Sequence, residues 1–128
     1  MRLAVDTNVL VRYIAWDDDA QARKAEGLIE RADIVVIPTV VLCETVWVLG
    51  RAYRYKPDEM AQVLSDLIAS SNVEVDRAAA EAGLAMLARG RDFADGAVEH
   101  EALERDCAEF ATFDEEFAER LSPRLRRR

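Results

Sequence analysis

The chain is defined first by what it lacks. No apolar run in its 128 residues approaches the ~18 needed to cross a bilayer as a helix, so no membrane role is expected. Arg2 is followed by an acid at Asp6 with no long apolar stretch between, so no secretory signal is read here. Cysteine is limited to Cys43 and Cys107, which have no metal-motif spacing and fall in segments that read as buried. Reduced thiols in a cytoplasmic protein are the expectation. Histidine is limited to His100, between Glu99 and Glu101 on a helical stretch, and reads as a solvated helix residue. There is no G-x-S-x-G elbow, no Gly-rich phosphate loop ending in Lys, and no Cys–His pair. These absences remove serine acyl transfer, P-loop nucleotide binding and thiol catalysis. Positive charge is short as well: 17 Lys and Arg face 25 Asp and Glu, for a net charge of −8. Taken alone, that balance argues against a nucleic-acid binder, because phosphate contacts need Lys and Arg.

The charge that is present is unevenly placed. Arg120, Arg124, Arg126, Arg127 and Arg128 crowd the C-terminus, while acids are dense from Asp92 to Glu119. Such a run is ordinarily a solvated helix face. An acidic site can nevertheless act on a polyanion when divalent cations bridge the two.

Periodicity divides the chain into alternating strands and helices. Strands are expected at 2–6, 34–37, 72–75 and 109–112, where short β-branched or apolar runs occur. Helices are expected at 7–15, from Asp17-Asp18-Asp19 onward, at 39–53, from Pro57, after Asp76, from the 90–96 loop to about 106, and at 115–121. From Ile34 to Gly50 the only charged residue is Glu44, so the third helix reads as buried nearly all round or set at an interface. Small residues on the fifth helix, Ala79, Ala82 and Gly83, suggest close helix packing. Alternation without repeats or a long linker gives an α/β fold, a sandwich with a parallel sheet. The domain is placed at residues 1–121, with 122–128 as an Arg-rich tail that offers no convincing final strand.

Four carboxylates hold positions that local structure does not fully explain. Asp6 and Asp114 each follow a strand and so sit at the carboxyl edge of the sheet, where open α/β sheets place their ligands. Asp95 begins a helix at that same edge, and Glu44 lies one to two turns into the helix leaving strand two. Asp6 could equally be a helix cap, and Glu44 could pair with Arg12 or Arg51. Four acids brought together repel unless cations neutralise them, and oxygen-only ligation suits Mg²⁺ or Mn²⁺ rather than zinc. Hard cations in an acidic cleft point to phosphoester hydrolysis by activated water.

The stretches Val5-Asp6-Thr7-Asn8-Val9-Leu10, Pro38-Thr39-Val40-Val41-Leu42-Cys43-Glu44, Asp92-Phe93-Ala94-Asp95 and Phe110-Ala111-Thr112-Phe113-Asp114 resemble, in order and spacing, the four acidic motifs of PIN domains. The resemblance runs from Arg2 to about Leu121 and is closest to VapC-type toxins of toxin–antitoxin pairs. It implies a three-layer α/β/α sandwich with a parallel sheet of four to five strands, and Mg²⁺- or Mn²⁺-dependent endoribonuclease activity that halts translation, often through cleavage of structured RNA such as tRNA. It implies that Asp6, Glu44, Asp95 and Asp114 are the catalytic and metal-ligating quartet. Thr7, Asn8 and Thr112 match positions that orient those carboxylates; Asp92 is a supporting residue or an extra ligand, and Glu116 a further supporting candidate. It also implies a homodimer and a cognate VapB-type antitoxin, with the Val46–Leu49 and Met60–Ile68 surfaces suited to such contacts. The Gly96-Ala97-Val98-Glu99-His100-Glu101 segment is more acidic than the family's usual pattern. Two rivals remain. An aspartyl-phosphate phosphatase wants a second Asp where Asn8 stands, and a receiver wants a late Lys, yet none follows Lys56. The other rival is a catalytically weak PIN module that binds RNA or a protein partner without cutting.

Overall fold

The computed structural model describes residues 1–128. Three parallel strands form the central ladder in the order β1-β2-β3: β1 (Arg2–Ala4), β2 (Ile34–Val36) and β3 (Val73–Glu74). Leu3 faces Val35, and Val35 in turn faces Val73. Parallel neighbours need long crossovers, and helix pairs supply them. α1 (Thr7–Ala15) and α2 (Asp19–Arg31) join β1 to β2; α3 (Thr39–Ala52) and α4 (Pro57–Ala69) join β2 to β3. α5 (Arg77–Ala88) and α6 (Phe93–Glu104) follow, then β4 (Glu109–Phe110), α7 (Glu115–Glu119) and β5 (Arg126–Arg127). This is the expected α/β fold with parallel strands, but the central sheet holds three strands rather than the expected four to five. The strands are shorter than the apolar runs suggest, and β4 pairs only with β5, in a separate parallel ladder. The Arg-rich end therefore contributes a strand that its composition did not announce.

Helix starts follow the rules of capping. The carboxylates of Asp6, Asp18, Asp76, Asp92 and Asp114 each accept a backbone N–H in the first turn of the helix they open, a contact worth about 1 kcal/mol. Pro57 sits at the first position of α4, where its missing N–H costs nothing.

The core lies between the ladder and the helices. Val35, Ile37, Leu10, Leu42, Leu49, Leu64 and Phe93 are all but inaccessible, and each contributes roughly 1.5–3 kcal/mol by leaving water. Two expectations need correcting. α3 is not buried all round: Val41, Leu42, Thr45, Val46 and Leu49 face the core, but Glu44 is exposed and Val40 and Trp47 are 68% and 57% accessible. Val40 and Trp47 are apolar yet outward, and periodicity could not tell such positions from buried ones. Cys107 is exposed rather than buried, because α6 ends before it.

α5 and α6 cross at unusually short range. A Cβ on Gly96 would stand 2.2 Å from the Ala82 carbonyl oxygen, and one on Gly83 would stand 2.6 Å from the Phe93 ring. The two glycines allow the helices to touch through their backbones, which places the N-terminus of α6, and Asp95 with it.

Candidate active site

The acidic residues are delivered by the ends of elements. Asp6 follows β1 and caps α1: its Oδ1 accepts the Thr7 N–H at 2.7 Å, which leaves Oδ2 free. The Thr7 hydroxyl donates to Glu44 Oε1 at 3.2 Å. Thr7 thus ties the first and second acidic positions together, one through its backbone and one through its side chain. Asp6, Thr7, Asn8 and Glu44 line one cavity of about 390 Å³, walled on the far side by Arg12 and Tyr53. Neither sequence-based partner for Glu44 is used. Arg12 donates to both oxygens of Asp17 at 2.8 Å, and Arg51 lies 5.4 Å over the Trp47 ring.

The remaining acids form a second group. Asp92 caps α6 and accepts the Ala94 N–H at 3.2 Å. Asp95 sits in the first turn of that helix. Asp114 caps α7, accepting the Phe117 N–H at 3.1 Å, and its own N–H donates to Thr112 Oγ1 at 3.0 Å. Burial, then the like charges of Asp92 and Asp114, hold the Asp95 carboxyl above the ordinary range for aspartate. The Arg120 guanidinium, 3.6 Å from Asp95 Oδ2, does not reverse that balance. Glu116 lies at this edge too, exposed and 3.0 Å from Arg120.

The two groups are linked by the packing of α3 against α6. The Cys43 thiol on α3 is pushed up by burial, then by the charges of Asp92 and Glu44. The two groups do not close on one point. No three of the Asp, Glu, His and Cys side chains stand close enough to hold one metal ion. Like charges repel, and each carboxylate instead takes the N–H donor, hydroxyl or guanidinium nearest to it. In kind the donors fit a hard divalent cation: all are oxygens, and the repulsion of Asp92 and Asp114 on Asp95 is of the kind a cation would relieve.

Three features escaped the sequence reading. Arg120 is 8% accessible at its side chain, paired with Asp95 and Glu116, and its Nε finds no hydrogen-bond partner. Its spacing from Glu116 announces an i,i+4 pair, but nothing local announces burial. The Arg12–Asp17–Tyr53 cluster at the cavity wall joins α1, the α1–α2 turn and the end of α3. No motif marks it. His100 is partly covered rather than solvated, and its Nε2 lies 3.2 Å from Glu104 without a hydrogen bond.

The PIN-domain family model matches residues 3–120. The chain belongs to the PIN-domain family. PIN domains are in general nucleases and in general use divalent metals. No curated protein matches the chain. Among solved structures it is similar to one described as the crystal structure of VapBC2 from Rickettsia felis bound to a DNA fragment from their promoter. That likeness has 18% identity and a TM-score of 0.40, and covers 100% of this chain and 98% of that one. No helix in this PIN domain is long and apolar enough to cross a membrane.

Proposed function

We propose that this PIN domain is a divalent-cation-dependent endoribonuclease toxin of the VapC type, cutting phosphodiesters of tRNA or another structured RNA in the cytoplasm and so halting translation. The observation that carries the reading is the placement of Asp6, Glu44, Asp95 and Asp114. They come from four separate segments, at or near the starts of α1, α3, α6 and α7, in a chain that is PIN domain over nearly its whole length. These four are the residues that would hold Mg²⁺ or Mn²⁺, with Asp92 in support, on drawing closer together than they stand here. When bound, the cation supplies charge neutralisation at the phosphoryl oxygens and acidifies water.

The chain's own residues prepare that site. Backbone N–H groups at three helix starts fix one oxygen each of Asp6, Asp92 and Asp114. Thr7 holds Asp6 and Glu44 at a set separation, and Thr112 fixes the turn that presents Asp114. Asn8 offers a neutral amide to the same cavity. No side chain here is a competent nucleophile: the Cys43 thiol is pushed up by burial and stays protonated at neutral pH. Water is therefore the attacking group. The exposed Val40 and Trp47 on α3 suit a homodimer contact, and a cognate VapB-type antitoxin completes the reading.

The test is cleavage of total RNA by purified protein with Mn²⁺, with Mg²⁺ and with excess chelator, beside Asp6→Asn. Discrete fragments that require metal, and that fall by more than about 100-fold in the variant, are expected, because even outer-shell partners of metal sites cost 10–100-fold. Folded, metal-loaded protein that cuts none of many RNAs would refute the nuclease reading and favour a binding module.

A further inference from the structure

Phe113 is anomalous. The chain has four phenylalanines, and the other three are packed. Phe93 and Phe117 are buried, and Phe110 meets Phe117 edge-to-face at 5.0 Å. Phe113, between Thr112 and Asp114, is fully exposed at 104%. A large apolar ring held entirely in water contributes nothing to the core, and this one adjoins a carboxylate of the candidate site.

Phe113 is followed by Asp114, Glu115 and Glu116, yet arginines approach the same edge from the C-terminal segment. From Arg120 onward there is no acid, and β5 brings Arg126 and Arg127 alongside Glu109 and Phe110 of β4. The Arg128 N–H donates to the Phe110 carbonyl at 2.9 Å, so the basic strand ends beside the turn that carries Phe113. Arg127 donates to both oxygens of Glu115, at 2.5 and 2.6 Å, two residues past Phe113. Arg126 and Arg128 share Glu109 while remaining largely exposed. Arg124 forms no ion pair. Pairs this exposed are worth little and exchange readily for another anion. Arg124, Arg126, Arg127 and Arg128 thus supply exchangeable cations on the Glu109 and Glu115 side of Phe113, while Asp114 and Glu116 lie on the side of the acidic centre.

We infer that Phe113 and the arginines of the β5 segment form a single-stranded RNA-binding edge flanking the acidic site. An unpaired base stacks on the Phe113 ring, and Arg124, Arg126 and Arg128 take the adjoining phosphates. Stacking on aromatic rings with cationic tracking of the backbone is the general chemistry of single-strand binding. It accounts for RNA engagement by a chain with net charge −8. The inference rests on the nuclease reading for its choice of RNA, but its test does not depend on cleavage.

The experiment is fluorescence anisotropy of the full chain with a fluorescein-labelled, mixed-sequence single-stranded RNA, in excess chelator, over a range of salt. Phe113→Ala should bind about tenfold more weakly, on the scale of one lost stacked base, with its salt slope unchanged. Phe113→Trp should restore binding. Arg126→Gln with Arg128→Gln should lower the salt slope by about 1.4, from two phosphate contacts at ~0.7 each. Equal binding by Phe113→Ala, a loss that Trp does not restore, an unaltered slope in the arginine variant, or no RNA binding by the wild type would each overturn the assignment. Wild type that binds this RNA but cuts none with Mn²⁺ would refute the nuclease reading and leave the binding edge standing. Wild type that cuts while all variants bind equally would refute the edge alone.

Discussion

Replacing Gly96 by Ala tests the contact that positions Asp95. The added Cβ would lie 2.2 Å from the Ala82 oxygen, 2.7 Å from its carbonyl carbon and 2.9 Å from the Gly83 Cα. Comfortable separations are about 3.5 Å, so α5 and α6 must part by roughly 1 Å. The obstructing atoms are helix backbone and cannot swing aside. Overpacking costs typically 1–3 kcal/mol, and a backbone clash belongs at or above the top of that range. Against it stands the ~1 kcal/mol by which Ala is the better helix former. The net loss is about 2 kcal/mol. With an unfolding entropy of about 2.1 cal/mol/K per residue over 128 residues, the melting temperature should drop by about 7 °C, measured by circular dichroism. Gly27→Ala is the matched control. The nearest atoms to its Cβ would be those of the Arg31 guanidinium, the movable end of a flexible side chain, at 2.9 Å. The same substitution should there stabilise the protein, by up to ~1 kcal/mol. Equal melting of Gly96→Ala and wild type would refute the close crossing of α5 and α6, and with it the account of how Asp95 is placed.

Two further predictions concern pH. The Asp95 carboxyl is held above its ordinary value, 3.8, by burial and by Asp92 and Asp114. The folded state thus binds this proton more tightly than the unfolded state, and the associated stability is lost as pH rises through the folded value. Asp95→Asn, measured by denaturant unfolding without metal, should therefore gain on the wild type from acid towards neutral pH. Its RNA cleavage should fall by more than about 100-fold; a variant whose stability relative to the wild type is flat or falls from acid to neutral pH, or one still active, would contradict the assignment. Asp17 shows the opposite sign. A hydrogen bond from Tyr53, then the Arg12 guanidinium, lowers its carboxyl, so that stability is present above the unfolded value and is lost as pH falls through the folded one. Tyr53→Phe should be less stable than wild type at pH 7, and the two should converge in acid; parallel curves would show that the phenol does not act through Asp17.

Much of this architecture was legible in local sequence. Helix starts were set by Asp6, Asp18, Asp76, Asp92 and Asp114, because a short carboxylate captures the N–H groups left unpaired at a helix start. The β-branched run at residues 34–37 and the apolar stripes of α2 and α4 marked the buried faces, because side-chain period follows backbone geometry. The order of strands and helices fixed a parallel sheet, since only helical crossovers of that length return the chain in the same direction. The acidic positions could be placed at the strand ends and helix starts for the same reason.

What depends on contacts distant in sequence was not legible. Val40 and Trp47 are as apolar as the residues on the inward side of α3, so only packing decides that they face water, beside Glu44 and Arg51, while Leu42 and Leu49 do not. The pairing of β5 with β4 puts the arginine-rich end against a strand more than a dozen residues earlier, which composition reads as a tail. Arg120 is buried because α7 folds back towards Asp95, not because of any neighbour in the chain. By itself, the sequence determined which residues carry charge, which cap helices and which elements follow one another, all consequences of short-range sterics and hydrogen bonding. Only the tertiary structure decided that Thr7 bridges Asp6 and Glu44, that Asp95 meets Arg120 under the repulsion of Asp92 and Asp114, and that Phe113 stands clear in water. Those depend on distances between segments far apart in the chain, and such distances are set by packing.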